Sequence, residues 1–72
     1  MKIYIVEDDM NIRKELSVLL EKYSFSYESS TDFEHITEHI LKSEADLILL
    51  DINLPYQDGY TICCEIRKQS DI

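Results

Sequence analysis

The chain has 72 residues, a formal net charge of -8 at pH 7 and an apolar fraction of 44%. This length allows one small domain and excludes two, and the core must be thin because so short a domain buries only about 60% of its unfolded surface. The excess of acidic residues argues against a cationic surface, so we expect this segment to make no direct contact with nucleic acid and none with an anionic membrane.

The two cysteines, Cys63 and Cys64, are adjacent in the sequence. A disulfide between neighbouring residues is strained, and two cysteines cannot build a disulfide-rich secreted fold. No apolar run reaches the roughly 18 residues of a membrane span. The apolar start at Met1–Val6 meets acidic residues too early for a signal peptide. We therefore expect a cytoplasmic protein with two free thiols.

The first half of the chain predicts two strands with a helix between them. Lys2–Val6 is apolar and β-branched, which favours a buried strand. Asp9 is a plausible N-cap for the helix that follows. Phe25–Ser29 alternates apolar and polar residues, which indicates a half-exposed strand at a sheet edge. Five apolar residues recur at helical spacing and are predicted to form one face of this helix, namely Ile12, Leu16, Leu19, Leu20 and Tyr23.

The second half predicts a helix, a strand and a further helix. Thr31 and Glu34 form a capping-box pattern before the helix. The unbroken apolar run Leu47–Leu50 is typical of a parallel strand covered on both faces. A loop with Pro55 leads to a third helix at residues 60–68, which we expect to bury Cys63 or Cys64 with Ile66. The buried face of the second helix is predicted to hold Phe33, Ile36, Ile40 and Leu41.

Strands that alternate with helices in the order β-α-β-α-β-α predict a parallel sheet with right-handed crossovers. The carboxyl ends of parallel strands gather at one edge of such a sheet, where ligands bind. Glu7, Asp8 and Asp9 close the first strand, and Asp51 closes the third. We therefore expect these acids to lie close together.

Converging carboxylates repel unless they bind a cation or spread into solvent. An all-oxygen ligand set favours Mg²⁺ over Zn²⁺, and Mg²⁺ commonly works with phosphoryl groups. An aspartate can itself accept a phosphoryl group. The ordinary alternative is that Glu7, Asp8 and Asp9 form a solvated strand end with a helix cap, and that Asp51 only caps a turn.

Three segments together resemble the receiver domain of two-component response regulators. They are Ile5–Asp9, Leu47–Asp51, and the Leu54-Pro55 and Asp58-Gly59 pairs of the following loop. The resemblance runs in register along the whole chain. It implies a flavodoxin-like doubly wound α/β fold, with strand order 2-1-3 in the part present here.

The resemblance also implies a function. Asp51 would accept a phosphoryl group from a phosphohistidine on a sensor histidine kinase. Mg²⁺ would be held by Glu7, Asp8, Asp51 and the backbone carbonyl of Asn53. Such a domain is a phosphoacceptor, with at most self-catalysed phosphotransfer and dephosphorylation, and is not an enzyme acting on other substrates.

The 72 residues match only the first three β-α units of the family, so residues 1–72 are interpreted as a partial receiver domain. The family's fourth and fifth strands, with their Ser/Thr and Lys, have no counterpart here, and we expect impaired phosphotransfer. The third strand would then lie at a sheet edge, and its apolar run Leu47–Leu50 would favour self-association.

Three other interpretations stay open. His35-Ile36-Thr37-Glu38-His39 matches the H-x-x-E-H zinc peptidase pattern, although helical spacing turns both histidines to solvent. An aspartate-nucleophile phosphatase of the haloacid type would need an Asp where the chain has Asn53. A non-catalytic interaction or oligomerisation module derived from a receiver is the third, and tyrosines such as Tyr56 and Tyr60 suit an interface.

Overall fold

The computed structural model describes residues 1–30, 33–51, 54 and 58–72. Strands and helices alternate along the chain as the sequence predicts. A short 3-10 turn at Phe33–His35 leads directly into the second helix. The elements are β1 (Lys2–Val6), α1 (Met10–Lys22), β2 (Ser26–Ser29), α2 (Ile36–Ser43), β3 (Leu47–Leu50) and α3 (Gly59–Arg67).

The three strands form a parallel sheet in the order β2-β1-β3, which confirms the predicted topology. Ile3 of β1 lies opposite Tyr27 on one side and Leu47 on the other. The central position of β1 explains why Ile3–Val6 are all buried. β2 lies at an edge of this sheet, as its alternating pattern predicts.

The period of two along β1 divides the core into two layers. Tyr4 and Val6 point to the side of α2 and α3, whereas Ile3 and Ile5 point to the side of α1. The α2 side holds the larger cluster, because two helices cover it. Its other buried members are Phe33, Ile36, Ile40, Ala45, Ile62 and Ile66, which confirms the predicted apolar face of α2.

Local side-chain contacts fix where the helices begin. The Asp9 carboxylate accepts hydrogen bonds from the backbone N–H groups of Asn11 (2.8 Å) and Ile12 (3.2 Å), which confirms Asp9 as the N-cap of α1. Asp58 caps α3 in the same way, accepting from the N–H of Thr61 at 2.7 Å. The predicted capping box at Thr31 lies outside the described residues.

α3 differs from its prediction in which side chains it buries. Ile62 and Ile66 pack into the core, whereas Cys63 and Cys64 are both exposed. The expectation that one cysteine packs with Ile66 is therefore wrong. Residues four apart share a helix face, and once Ile62 points to the sheet the next two residues are turned about 100° and 200° away from it.

The cover over α1 and β3 is incomplete. Leu20 is buried, but Ile12 and Leu19 are 45% and 48% exposed although they share its apolar face. Leu47 is 43% exposed and the other three residues of β3 are half-buried. The core nevertheless reaches both faces of β3, as predicted, because Ile48 and Leu50 pack on the α2–α3 side and Leu49 packs on the α1 side. Within the described part of the chain, β3 lies at one side of the sheet next to β1.

Among the described residues, no helix is both long and apolar enough to cross a lipid bilayer.

Candidate functional site

Three carboxylates meet at the carboxyl edge of the sheet. One oxygen atom from each of Glu7, Asp8 and Asp51 lies within 4.8 Å of the others. The backbone produces this arrangement, because β1 and β3 run parallel with Val6 opposite Leu50 and so end side by side. The N–H of Asp51 donates to the carbonyl of Val6 at 2.9 Å, which extends the ladder to the acid itself. The predicted proximity is confirmed for these three residues.

Asp9 stands apart from this group because its carboxylate caps α1. Asp9 is therefore not a member of the group of three, and the physical reason is the demand of the first helical turn for a hydrogen-bond acceptor. Asn53, whose carbonyl the family resemblance assigns to the metal, lies outside the described residues, as does Pro55.

The electrostatics of the cluster favour a positive charge. Partial burial raises the pKa of the Glu7 carboxyl, and the nearby Asp51 and Asp8 carboxylates raise it further. The N–H of Asp9, which donates to Glu7 Oε1 at 3.1 Å, lowers this pKa in part. The repulsion between these carboxylates that favours the protonated form of Glu7 would also be relieved by a bound cation.

The donor set itself identifies the kind of cation that fits. All three groups offer carboxylate oxygens, which hard ions such as Mg²⁺ prefer, and none offers sulfur or imidazole nitrogen. Asp8 is exposed whereas Glu7 and Asp51 are half-buried, so the group is open to solvent on one side. The residues present therefore fit a Mg²⁺ ion that keeps some of its water.

An apolar hollow adjoins the acids. It has a volume of about 250 Å³, and Glu7 and Asp51 form its polar rim. Apolar walls beside a carboxylate lower the local dielectric and strengthen electrostatic interactions there. The walls are formed by Val6, Leu16, Leu49 and Leu50.

Sequence reasoning missed one residue that shapes the site. Arg13, in the first turns of α1, donates from Nη1 to the backbone carbonyl of Glu7 at 3.0 Å. This contact ties the start of the helix to the end of β1 and fixes the backbone that carries the first two acids. The available signal was a basic residue six positions after Glu7.

The histidines of the H-x-x-E-H segment do not form a comparable centre. His35 is exposed and His39 half-buried. In the part of the chain that the structure describes, the acid cluster is the sole group of three or more metal-ligating side chains. Zinc catalysis usually requires three protein ligands, so a zinc peptidase site is unsupported there.

Comparisons with known proteins agree with the fold described above. The family model described as "Response regulator receiver domain" matches residues 3–72. The transcriptional regulatory protein YxdJ of Bacillus subtilis is 45% identical over 69 residues, which are 96% of this chain and 30% of that protein. The response regulator protein GraR of Staphylococcus epidermidis is 35% identical over the full 72 residues, or 32% of its own length.

Two solved structures superimpose on nearly the whole of this chain. The N-terminal domain of the nisin resistance regulator NsrR superimposes with a TM-score of 0.88 at 42% identity, covering 99% of this chain and 60% of that one. The BeF3-activated N-terminal receiver domain of Klebsiella pneumoniae RstA gives a TM-score of 0.90 at 34% identity, covering 99% and 61%.

The chain thus spans about 30% of the length of these curated relatives and about 60% of the two receiver structures. Over that span the sheet order, the crossovers and the sequence agree with one fold, the flavodoxin-like doubly wound sheet. From the match over residues 3–72, the chain belongs to the response regulator receiver domain family.

Proposed function

We propose that this chain is a phosphoacceptor, and that Asp51 takes a phosphoryl group from a sensor histidine kinase with the help of Mg²⁺. The observation that carries the proposal is the meeting of Glu7, Asp8 and Asp51 within 4.8 Å at the carboxyl edge of the sheet. Asp51 is the proposed acceptor because it ends the third strand, where the family resemblance assigns that role.

Within the proposed site, Glu7, Asp8 and Asp51 hold the metal together with the backbone carbonyl of Asn53. When bound, Mg²⁺ supplies positive charge that offsets the charge of the acids and of the incoming phosphoryl group. Arg13 acts as a positioning residue through its bond to the Glu7 carbonyl.

The proposed step is a displacement at phosphorus. A carboxylate oxygen of Asp51 attacks the phosphorus of a phosphohistidine, the P–N bond breaks, and the imidazole of the kinase leaves with its electron pair. The product is an acyl phosphate on Asp51. The solvent-open side of the site at Asp8 gives the donor its approach, and the apolar hollow of Leu16 and Leu49 lies beside the Asp51 carboxylate.

Phosphorylation of the 72 residues alone should be slow. The Ser/Thr and Lys that the family uses to contact the phosphoryl oxygens have no counterpart among them, and one preorganised donor commonly contributes 10²- to 10³-fold in rate. The whole protein's partners are inferred from its relatives. We infer a histidine kinase as phosphodonor, an exchange in the cytoplasm, and control of transcription as the output.

The direct test is incubation with acetyl phosphate and Mg²⁺, followed by intact-mass measurement. We expect a mass gain of one phosphoryl group that requires Mg²⁺ and is lost in Asp51→Asn. Asp46→Asn is the matched control, because Asp46 flanks the other end of the same strand and lies outside the acid cluster. It should be phosphorylated at the wild-type rate.

A Mn²⁺ titration followed by proton relaxation tests the metal set separately. Asp8→Asn and Asp51→Asn should each weaken binding, and Asp46→Asn should not. Metal binding without any adduct would instead favour a non-catalytic interaction module. An adduct that persists in Asp51→Asn would overturn the proposed acceptor.

A further inference from the structure

A polar hollow of about 230 Å³ lies between the β2 side of the sheet and α2. In the complete flavodoxin-like sheet the second strand is also the edge strand, so no further strand of the fold lies beside this hollow. The described residues that line it come from β1, from β2 with the residue after it, and from α2: Tyr4, Glu28, Ser29, Ser30, His39, Lys42 and Ser43.

Tyr4 brings a hydroxyl group to this hollow from the centre of the sheet. The other buried residues of β1 are Ile3, Ile5 and Val6, so a tyrosine interrupts an otherwise aliphatic buried run. Its side chain is 2% exposed, and its hydroxyl group is hydrogen-bonded to the Ser30 side chain. A buried hydroxyl group needs hydrogen-bond partners, and a phenol can both donate and accept. The hollow gives a further partner the room to reach it.

The charges around the hollow favour an anion. Glu28 is the one acid among the described lining residues, and Lys2 Nζ lies 3.6 Å from Glu28 Oε2, which offsets its charge. Lys42 adds a positive charge from α2, and the imidazole of His39 adds a further polar group. Glu38, one turn before Lys42, does not line the hollow. This excess of positive charge contrasts with the formal net charge of -8 for the whole chain.

Hydrogen bonds hold the α2 wall of the hollow against the sheet. Lys2 Nζ donates to the backbone carbonyl of Ser43 at 2.8 Å, which ties the end of α2 to β1. The Ser43 hydroxyl group donates to the carbonyl of Ile40 at 2.6 Å and accepts from the N–H of Ala45 at 3.3 Å. The hollow is therefore formed before a ligand arrives, which reduces the entropy that binding costs.

We propose that this hollow binds a small tetrahedral oxyanion of the phosphate and sulfate class. Lys42 supplies the positive charge and the Tyr4 hydroxyl group supplies a neutral donor, with Ser30 and His39 beside them. One water occupies about 30 Å³ in the liquid, so the hollow accommodates such an ion together with several waters. None of the lining residues belongs to the acid cluster, and the inference makes no use of phosphorylation.

An NMR titration of the isotope-labelled chain with sodium sulfate locates the site. Sodium chloride keeps the ionic strength constant, and a chelator removes divalent cations, so that the carboxylates of the acid cluster repel the anion. We expect saturable shifts in the amide signals of Ser29, Ser30, Lys42 and Ser43. Inorganic phosphate should shift the same signals.

Lys42→Gln tests the charge. It should raise the dissociation constant for sulfate about tenfold, because a charge-assisted hydrogen bond is lost. Lys14→Gln is the matched control, because Lys14 is an exposed lysine of α1 that does not line the hollow and the change of charge is the same. It should bind sulfate with the affinity of the wild type. Tyr4→Phe should also weaken binding, without a change of charge.

The titration of the unaltered chain decides the case in which a variant does not fold. Shifts that grow without saturation, or that centre on the starts of α1 and α3, would overturn the proposal. Equal sulfate affinity of the wild type and a folded Lys42→Gln variant would overturn it as well. Asp51→Asn should lose phosphorylation and still bind sulfate, so this proposal and the proposed function fail separately.

Discussion

The acid cluster makes Asp8→Asn a variant with two opposite effects on stability. Without metal, the substitution removes a negative charge from a group of three and should stabilise the fold. With Mg²⁺ present, the same substitution removes a proposed ligand and should diminish the stabilisation that the metal provides. The order of wild type and variant should therefore reverse between the two conditions.

The size of the first effect follows from the distances. Carboxylates whose nearest oxygens lie within 4.8 Å repel by about 0.9 kcal/mol per pair at the dielectric of water. Asp8 is exposed and takes part in two such pairs, so its repulsion amounts to about 2 kcal/mol. Its position just before α1 offsets about 0.3–1 kcal/mol through the helix dipole. We expect a net gain of about 1 kcal/mol.

The second effect follows from linkage. At a Mg²⁺ concentration of about 100 times its dissociation constant, the wild type is stabilised by about 2.7 kcal/mol. Loss of a direct ligand should weaken binding about 100-fold, since even supporting groups around a metal contribute 10- to 100-fold. The variant would then gain only about 0.4 kcal/mol at that concentration.

The assay is thermal unfolding followed by circular dichroism, with a chelator in one series and Mg²⁺ in the other. In chelator the thermal midpoint of Asp8→Asn should exceed that of the wild type by about 4–8 °C. Asp9→Asn is the matched control, because it alters the net charge equally, retains a good N-cap residue and lies outside the cluster. Equal responses of Asp8→Asn and Asp9→Asn in both series would refute the reasoning.

Three further predictions follow from the described contacts. Ile62→Ala should lower the free energy of unfolding in urea by about 2–5 kcal/mol because Ile62 is fully buried. Cys63→Ala should change it by less than about 0.5 kcal/mol because Cys63 is exposed. Equal losses would contradict the assignment of the buried face of α3. Burial raises the pKa of Tyr4 above 10.0, so at high pH the tyrosine ionises in the unfolded chain before it ionises in the folded one. The free energy of unfolding should therefore fall as pH rises above 10.0, and Tyr4→Phe should flatten this fall. A pH profile unchanged by Tyr4→Phe would contradict this assignment. Thr37→Val should lower the free energy of unfolding by about 1 kcal/mol, because Thr37 Oγ1 donates to Glu65 Oε2 at 2.8 Å between α2 and α3. The same substitution should have no effect in a Glu65→Ala background. An undiminished loss in that background would indicate a different cause.

Much of the fold followed from local chemistry. The order of strands and helices could be derived because period-two and period-3.6 patterns are properties of neighbouring residues. The cap at Asp9 followed because a helix start needs an acceptor within its own first turn. The approach of Glu7 and Asp8 to Asp51 followed because parallel strands end at a common edge.

The sequence by itself therefore determined the alternating α/β architecture and the edge at which its acids would gather. Only the tertiary structure decided which acids belong to the cluster, since the Asp9 carboxylate could either join Glu7, Asp8 and Asp51 or cap α1, and it caps α1. It also decided that α3 buries Ile62 rather than a cysteine, because the direction of a helix face depends on the sheet it packs against. The exposure of Ile12 and Leu47 also depends on the tertiary structure, because an apolar side chain is buried only where another part of the fold packs against it.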